Sequence, residues 1–510
     1  MNRDFSKTPS RRENFQLSQT NPYIQCSTGK AGPSQFIERD EPKSCISRYL
    51  LYIVTFTVTG LFLTVLVSLK VTADEFKNLP TPSKNLILTP LINAGNISEA
   101  KSLANVTLFP GVTSYSGFLT VDEECKSHLF FWFFPAATGN KSAPLVLWHG
   151  GTGPVILDKT DDSWTLNNNS WTQSRSVLYL DSPVGAGFSY TEKGGLCYAF
   201  SRDDVADGTI NALRQFFELF PEYVSNDLYI SSSSYGGKFL PVIAWRIDND
   251  NQLDKVSGDV TLKPINLKGI ISMSGFSDPL HQIDYGEFYY NMGFIDKPQL
   301  KYFKAQESLA KAYIRSKNVV EAYKIIDPLI LGYTDGRPSY LKNITGIKHP
   351  SNFMEDLVDS NIDKYLHRHD TFLNLPWVQE SIHVDTASSG RVFQTSSRVV
   401  YENLLSDLYK SVGDLVENLL DAGYKFLFTS GQFDLVVPHT TIEKFLDELR
   451  WKGTNELRSK GNSWWKYNGQ VVGYGKIVGN LTYLMFRNVG HHPFVDQPEW
   501  TLDLILRFTN

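Results

Sequence analysis

The segment that most constrains this chain is residues 227–238 (DLYISSSSYGGK), where an apolar stretch passes into four serines and two glycines and then into a helical pattern. A strand that turns sharply into a helix needs small residues at the corner. Such a corner exposes a serine Oγ and aims the helix N-terminus at any anion formed beside it. Ser234 stands there, with Gly236 two positions later, and Ser232 occupies the earlier position where glycine is the rule. The plainer reading of the same residues is a serine-rich turn.

A corner of this kind belongs to a sheet flanked by helices, and the rest of the chain agrees. Apolar, β-rich runs at residues 115–121, 129–134, 145–148, 177–180, 228–231, 270–273 and 425–428 alternate with helical periodicity, above all over 203–219 and after Ser234. That alternation predicts an α/β fold with a mixed, mostly parallel central sheet. Between about 280 and 400 the pattern turns helical and irregular before the sheet pattern resumes, which reads as a cap inserted into a domain spanning 105–510. The net charge of -5 is spread without acidic or basic blocks, so no nucleic-acid surface is expected. Ten histidines show no HExxH-type spacing, so neither a metal nor another cofactor is implied; His367 and His369 are expected on a solvated face of the cap.

Two further segments complete a chemistry with Ser234. In residues 426–439 (FLFTSGQFDLVVPH) an apolar strand ends in a turn carrying Asp434, and in residues 487–498 (RNVGHHPFVDQP) Gly490 permits a tight loop around His491. Asp434 alone also fits a simple turn-former. Asp496 reads as a helix N-cap, because Asp496, Pro498 and Glu499 together mark a helix start. Ser, then Asp, then His, each just after a strand, is the order of the α/β-hydrolase triad. In such a triad the histidine takes the serine proton, and the carboxylate holds the imidazole tautomer and stabilises its charged form.

Topology comes from the first 104 residues. Residues 49–69 (YLLYIVTFTVTGLFLTVLVSL) carry no charge and match the roughly 20 apolar residues that cross a bilayer as a helix. The polar residues 1–48, with Arg48 at the membrane edge, suit a disordered cytosolic tail, and 70–104 a stem. This predicts a single-pass membrane protein with a lumenal or extracellular catalytic part. The alternative is secretion after signal cleavage near Ala73, where Val71, Thr72 and Ala73 offer small residues. The N-glycosylation sequons at Asn96, Asn105, Asn140, Asn168, Asn343 and Asn480 all lie beyond the apolar run, as the first topology requires. Cys125 and Cys197 then share an oxidising space and can pair, whereas Cys26 and Cys45 stay reduced, with Cys45 either palmitoylated or a free thiol.

Longer segments carry a resemblance. LFFWFFPA from Leu129, PLVLW from Pro144, YLDSPVGAGFSYT from Tyr179, FPEYVSNDLYI from Phe220, SYGGKFLP from Ser234, INLKGIISMSGFSDP from Ile265, SGQFD from Ser430 and GHHPFVDQP from Gly490 are similar to the serine carboxypeptidases, most closely to the vitellogenic-like branch. The resemblance implies a serine-type carboxypeptidase acting on peptide C-termini. It puts the nucleophile at Ser234, the acid at Asp434 and the base at His491. The oxyanion hole would be the backbone N–H groups of Gly151 and Tyr235, each such donor being worth about 3 to 4 kcal/mol of barrier.

Departures from the family pattern fall on the substrate site. Family members read Trp-Leu-Asn/Gln-Gly-Gly-Pro-Gly at the oxyanion loop and Gly-Glu-Ser-Tyr at the elbow, and the amide and the glutamate bind the substrate carboxylate. Here the loop reads Trp148-His149-Gly150-Gly151-Thr152-Gly153-Pro154, one residue short, and Ser233 replaces the glutamate. His149, Gly150 and Ser233 become the candidate carboxylate-binding residues, and His149 is equally readable as a plain loop residue. Two competing functions stay open beside the carboxypeptidase: a weakened or inactive relative that binds peptides or a partner, and another acyl hydrolase with the same triad.

Overall fold

The computed structural model of the chain describes residues 85–149, 153–157, 164–257, 263–333, 336–357, 361–385 and 392–510. The expected cytosolic tail, the apolar run 49–69 and the stem as far as residue 84 lie outside these residues. Among the described residues no helix is long and apolar enough to cross a membrane.

The strands in chain order are β1 (Asn105–Val106), β2 (Ser114–Asp122), β3 (Ser127–Phe134), β4 (Leu145–His149), β5 (Val155–Leu157), β6 (Trp164–Leu166), β7 (Ser176–Leu180), β8 (Tyr190–Thr191), β9 (Leu228–Ser233), β10 (Leu267–Met273), β11 (Lys425–Gly431), β12 (Ser463–Tyr467), β13 (Gln470–Val478) and β14 (Leu481–Phe486). One large sheet runs in the order β1-β2-β3-β7-β4-β9-β10-β11-β14-β13-β12, with β8 paired to β3, while β5 and β6 form a separate pair. The central strands β7, β4, β9, β10, β11 and β14 are parallel, and the outer strands antiparallel. The fold is therefore α/β with a mixed, mostly parallel sheet.

The central strands are buried along most of their length because helices cover both faces, which leaves no solvated side to alternate with. Period-two geometry divides their residues between two cores. Leu145, Leu147, Ile270, Phe426 and Phe428 face one layer, which includes residues of α1 (Arg202–Leu219) and α2 (Gly236–Ser257). Val146, Trp148, Ile271, Met273 and Leu427 face the other, packed with Leu504, Ile505 and Phe508 of the last helix. α1 starts where the sequence places it: Ser201 accepts from the Asp204 N–H, and the Asp204 side chain returns the bond in a capping box.

Between β10 and β11 the described residues form helices and no strand, including α3 (Lys297–Arg315), α4 (Val319–Ile330) and α5 (Asn361–Leu373). The chain closes with the short α6 (Pro493–Asp496) and with α7 (Pro498–Phe508). Asp496 is not the expected N-cap. Gln497 holds that position without a side-chain bond, and the Asp496 carboxylate turns back to the Gly490 N–H at 2.7 Å. A long-range donor has outcompeted the local one. Cys125 and Cys197 are bonded, joining the β2–β3 turn to the turn after β8.

Candidate active site

Strands β9, β10, β11 and β14 run side by side in one direction, so their carboxyl ends share one edge of the sheet. Ser234 follows β9, Asp434 follows β11 and His491 follows β14, which brings three residues distant in sequence to that edge.

The serine corner is a strained turn. Ser234 has φ +54°, a left-handed conformation that costs a residue with a Cβ about 1 kcal/mol or more. Its backbone is held from both sides: the N–H donates to Met273 O at 3.0 Å, and its carbonyl accepts from Gly237 at 3.0 Å and Phe276 at 2.9 Å. A Cβ at Gly236 would fall 2.0 Å from Ser232 Oγ, so the serine found where glycine is usual fits because residue 236 has no side chain. Ser272 stands opposite Ser232 in the β9–β10 register, and its Oγ fills the space a Cβ at Gly275 would need, again at 2.0 Å. Just inside α2, the fully buried Lys238 donates to the carbonyls of Ser277 (3.1 Å) and Lys410 (2.7 Å), and burial holds its pKa well below the usual lysine range.

At the far side of the edge, His491 and Asp434 form a closed pair. His491 Nδ1 lies 2.7 Å from Asp434 Oδ2, both groups being almost wholly buried. Asp434 Oδ1 accepts from the N–H groups of Val436 (2.7 Å) and Val437 (2.9 Å), which fixes the carboxylate plane. The arrangement leaves Nε2 as the free nitrogen of His491. Among the described residues Ser234 Oγ makes no hydrogen bond. The histidine–carboxylate contact is formed and a serine–histidine hydrogen bond is not, a geometry often seen in sites that tighten only around substrate.

A cavity of about 420 Å³ lies beside this edge. Its wall includes Ser233 and His492, the neighbours of the serine and the histidine, and is otherwise dominated by rings such as Trp132, Trp148, Tyr179, Tyr365, Phe372 and Phe393. His492 is pulled down to about 3 by burial and by His491 beside it, so it stays neutral. Asp181, directly after β7, is pushed up to about 7 by burial, although its carboxylate accepts from the Phe188 N–H at 2.8 Å. His369 is also on this wall, which corrects the expectation of a solvated face: burial lowers its pKa, and its Nδ1–H donates to Tyr365 O at 2.6 Å. His367, two residues earlier on α5, is exposed as expected. The face a helical residue occupies depends on what α5 packs against, and that is not written in its own segment.

Of the other expected site residues, Tyr235 follows the serine, and its N–H has no acceptor among the described residues. His149 ends β4 in register with Ser232, and its side chain lies outside what is described, as do Gly150 and Gly151. Sequence reasoning passed over Asp181, His492 and Asn352. For Asp181 a signal existed, since a carboxylate at the end of an apolar parallel strand sits on the binding edge. Asn96, Asn105, Asn140, Asn168 and Asn343 are exposed and Asn480 is half-buried. No group of three or more His, Cys, Asp or Glu residues among those described could hold a metal.

The chain is similar to known proteins. Residues 105–510 match the serine carboxypeptidase family. A venom serine carboxypeptidase from Apis mellifera is 36% identical over 442 residues, covering 83% of this chain and 91% of that one. A vitellogenic carboxypeptidase from Aedes aegypti is 34% identical over 441 residues, covering 83% and 90%. A solved structure of a prohormone-processing carboxypeptidase from Saccharomyces cerevisiae superimposes with a TM-score of 0.66 at 23% identity, covering 80% of this chain and 96% of that one, a likeness of fold.

Proposed function

The chain belongs to the serine carboxypeptidase family and is a hydrolase of that class, and from this premise we propose that Ser234, His491 and Asp434 cleave the C-terminal peptide bond through an acyl-enzyme. The observation that carries the assignment is the buried 2.7 Å contact of His491 Nδ1 with Asp434 Oδ2, at the sheet edge that also bears the left-handed Ser234. With Nδ1–H committed to Asp434, Nε2 takes the proton from Ser234 Oγ as that oxygen bonds to the scissile carbonyl carbon. The tetrahedral oxyanion is held by the Tyr235 N–H, at the start of α2, and by Gly151. Breakdown of the C–N bond passes the His491 proton to the departing amine, which leaves as the free C-terminal amino acid. Water, deprotonated by the same Nε2, then attacks the ester and restores Ser234.

The substrate carboxylate is recognised in this chain by groups other than the family's amide and glutamate. Ser233 and Gly150 are the candidates at the loop and elbow, and His149, as imidazolium, supplies a matching charge at acidic pH. The ring-lined cavity takes a large apolar side chain of the substrate. Asp181 sets the sign of the pH dependence. Its carboxyl is neutral below about 7 and becomes an anion above that pH, where it repels a substrate carboxylate, so KM for a free-acid peptide should rise as pH passes upward through this value. The test compares one peptide ending in phenylalanine as free acid and as amide, at mildly acidic and neutral pH, in the wild type and in His149→Ala. The free acid should be preferred at acidic pH, with the preference reduced in the variant. Equal turnover of acid and amide at both pH values would leave a general acyl hydrolase as the better description. Turnover of neither would favour the weakened relative that the replaced glutamate and shortened loop suggest.

The catalytic part is lumenal or extracellular in this reading, with residues 49–69 as its anchor. The exposed sequons and the Cys125–Cys197 bond suit a secretory compartment. Expression in animal cells should yield a glycosidase-sensitive protein that stays with membranes through an alkaline wash. Recovery of a soluble form beginning near Asp74 would replace the anchor with a cleaved signal.

A further inference from the structure

Residues 350–353, within the helical interval between β10 and β11, bond to both catalytic loops at once. Leu435 N–H donates to Pro350 O at 2.9 Å and Phe353 N–H to Phe433 O at 3.3 Å, on either side of Asp434. His491 N–H donates to Ser351 O at 2.6 Å. Asn352 then reaches sideways: its Nδ2 donates to Asp496 Oδ2 at 3.1 Å, and the same oxygen accepts the Gly490 N–H at 2.7 Å. Gly490 fits this crossing because it has no side chain, since a Cβ there would stand 2.3 Å from Ser351 O and 2.5 Å from Asn352 Cβ.

We propose that Asp496 is a positioning residue for catalysis, which clamps the Gly490–His491 peptide to Asn352 and so sets the reach of His491 Nε2 toward Ser234. This rests on the triad reading above. An ionised carboxylate oxygen accepts both N–H donors in charge-assisted bonds, whereas the protonated acid offers them only a neutral carbonyl oxygen and grips them less strongly. Burial pushes Asp496 up to about 6, and the negative charges of Glu355 and Asp434 act in the same direction, against the bonds from Gly490 and Asn352. On the α5 side, Lys364 and Arg368 share a cleft with Val495 and Pro498. As pH falls through about 6 the clamp loosens and kcat should fall. The stability linkage has the opposite sign. An acid raised from 3.8 to about 6 by folding binds its proton more tightly in the native state, so its contribution to stability declines as pH rises from about 4 to 6. A residue that only supported the fold would change stability without bending the kcat profile.

The experiment measures kcat and KM across the acidic range for the wild type, Asp496→Asn, Asn352→Ala and Glu355→Gln, with fluorophosphonate labelling of Ser234 in each. Asp496→Asn can place its oxygen where Oδ2 sits and keep both bonds, but without the charge that strengthens them, so it holds the clamp permanently in its weakened form. Its kcat should drop about tenfold with KM moving less than about twofold, and the inflection near pH 6 should vanish. Asn352→Ala should lower kcat in the same sense without removing the inflection. Glu355→Gln removes a neighbouring negative charge, so the inflection should move to lower pH. Wild-type kcat and an unchanged acidic limb in Asp496→Asn would overturn the proposal. If that variant does not fold, an unmoved inflection in Glu355→Gln overturns it instead. A wild type that neither labels nor hydrolyses peptides contradicts the triad reading itself, a result separate from any behaviour of the variants.

Discussion

Ser234→Ala should abolish peptide hydrolysis, lowering kcat by about 10⁴ to 10⁶, and leave the fold intact. The hydroxyl is the attacking atom, and no other side chain in the triad can form the ester. Its structural contribution is small, because Ser234 Oγ has no hydrogen-bond partner among the described residues and the bonds that hold the turn come from the backbone. Alanine keeps the Cβ and hence the same left-handed strain at φ +54°, so stability should change by less than about 1 kcal/mol. The check is single-turnover hydrolysis and fluorophosphonate labelling beside a thermal melt. Activity within about twofold of the wild type in a folded variant would remove Ser234 from the mechanism.

Asp434→Asn should fold and lose about 10⁴ in kcat. Asp434 Oδ1 accepts from the N–H groups of Val436 and Val437, and an asparagine retains those two bonds only by placing its oxygen there. Its amide nitrogen must then face His491 Nδ1, where Asp434 Oδ2 now sits at 2.7 Å. Two donors cannot share that contact, so the imidazole adopts the tautomer with its proton on Nε2. The base then presents a hydrogen to Ser234 in place of a lone pair. Turnover across the neutral range measures the loss, and a folded variant retaining more than about a tenth of wild-type activity would show that another group orients the base.

How far these groups could be read in advance depended on where their determinants lie. The central strands and α1 are written in contiguous residues, as an apolar run or a capping box, and were legible. That Ser234, Asp434 and His491 come to one sheet edge was legible, since each follows a strand. The hairpin β12–β13 was passed over although Asn468 and Gly469, with φ of +47° and +79°, carry the dipeptide of a two-residue turn. The mixture of aromatic, lysine and glycine residues in these outer strands hides the alternation. Asp496 and His369 were misplaced for a different reason. Each has a respectable local explanation, an N-cap and a solvated helix face, and each is claimed by a partner remote in sequence. Residues 350–353 show the limit most clearly, because no local pattern marks a segment whose importance is to touch one loop 80 or more positions away and another 140 positions away.

The packing under the serine corner also bears on the order in which substitutions can be accepted. Ser232 Oγ and a Cβ at residue 236 claim the same space, as do Ser272 Oγ and a Cβ at residue 275. Any side chain at 236 therefore collides with Ser232 and forces the corner to shift, although the same change on a glycine-232 background meets no such obstacle. A lineage that gains Ser232 closes one path and must lose that whole side chain, since its Cβ as well as its Oγ stands within 2.3 Å of a Cβ at 236, before residue 236 can vary. Because the two serines face each other across β9 and β10, drift at this corner is historically contingent, and a library that randomises these four positions one at a time would miss most of the combinations that fold.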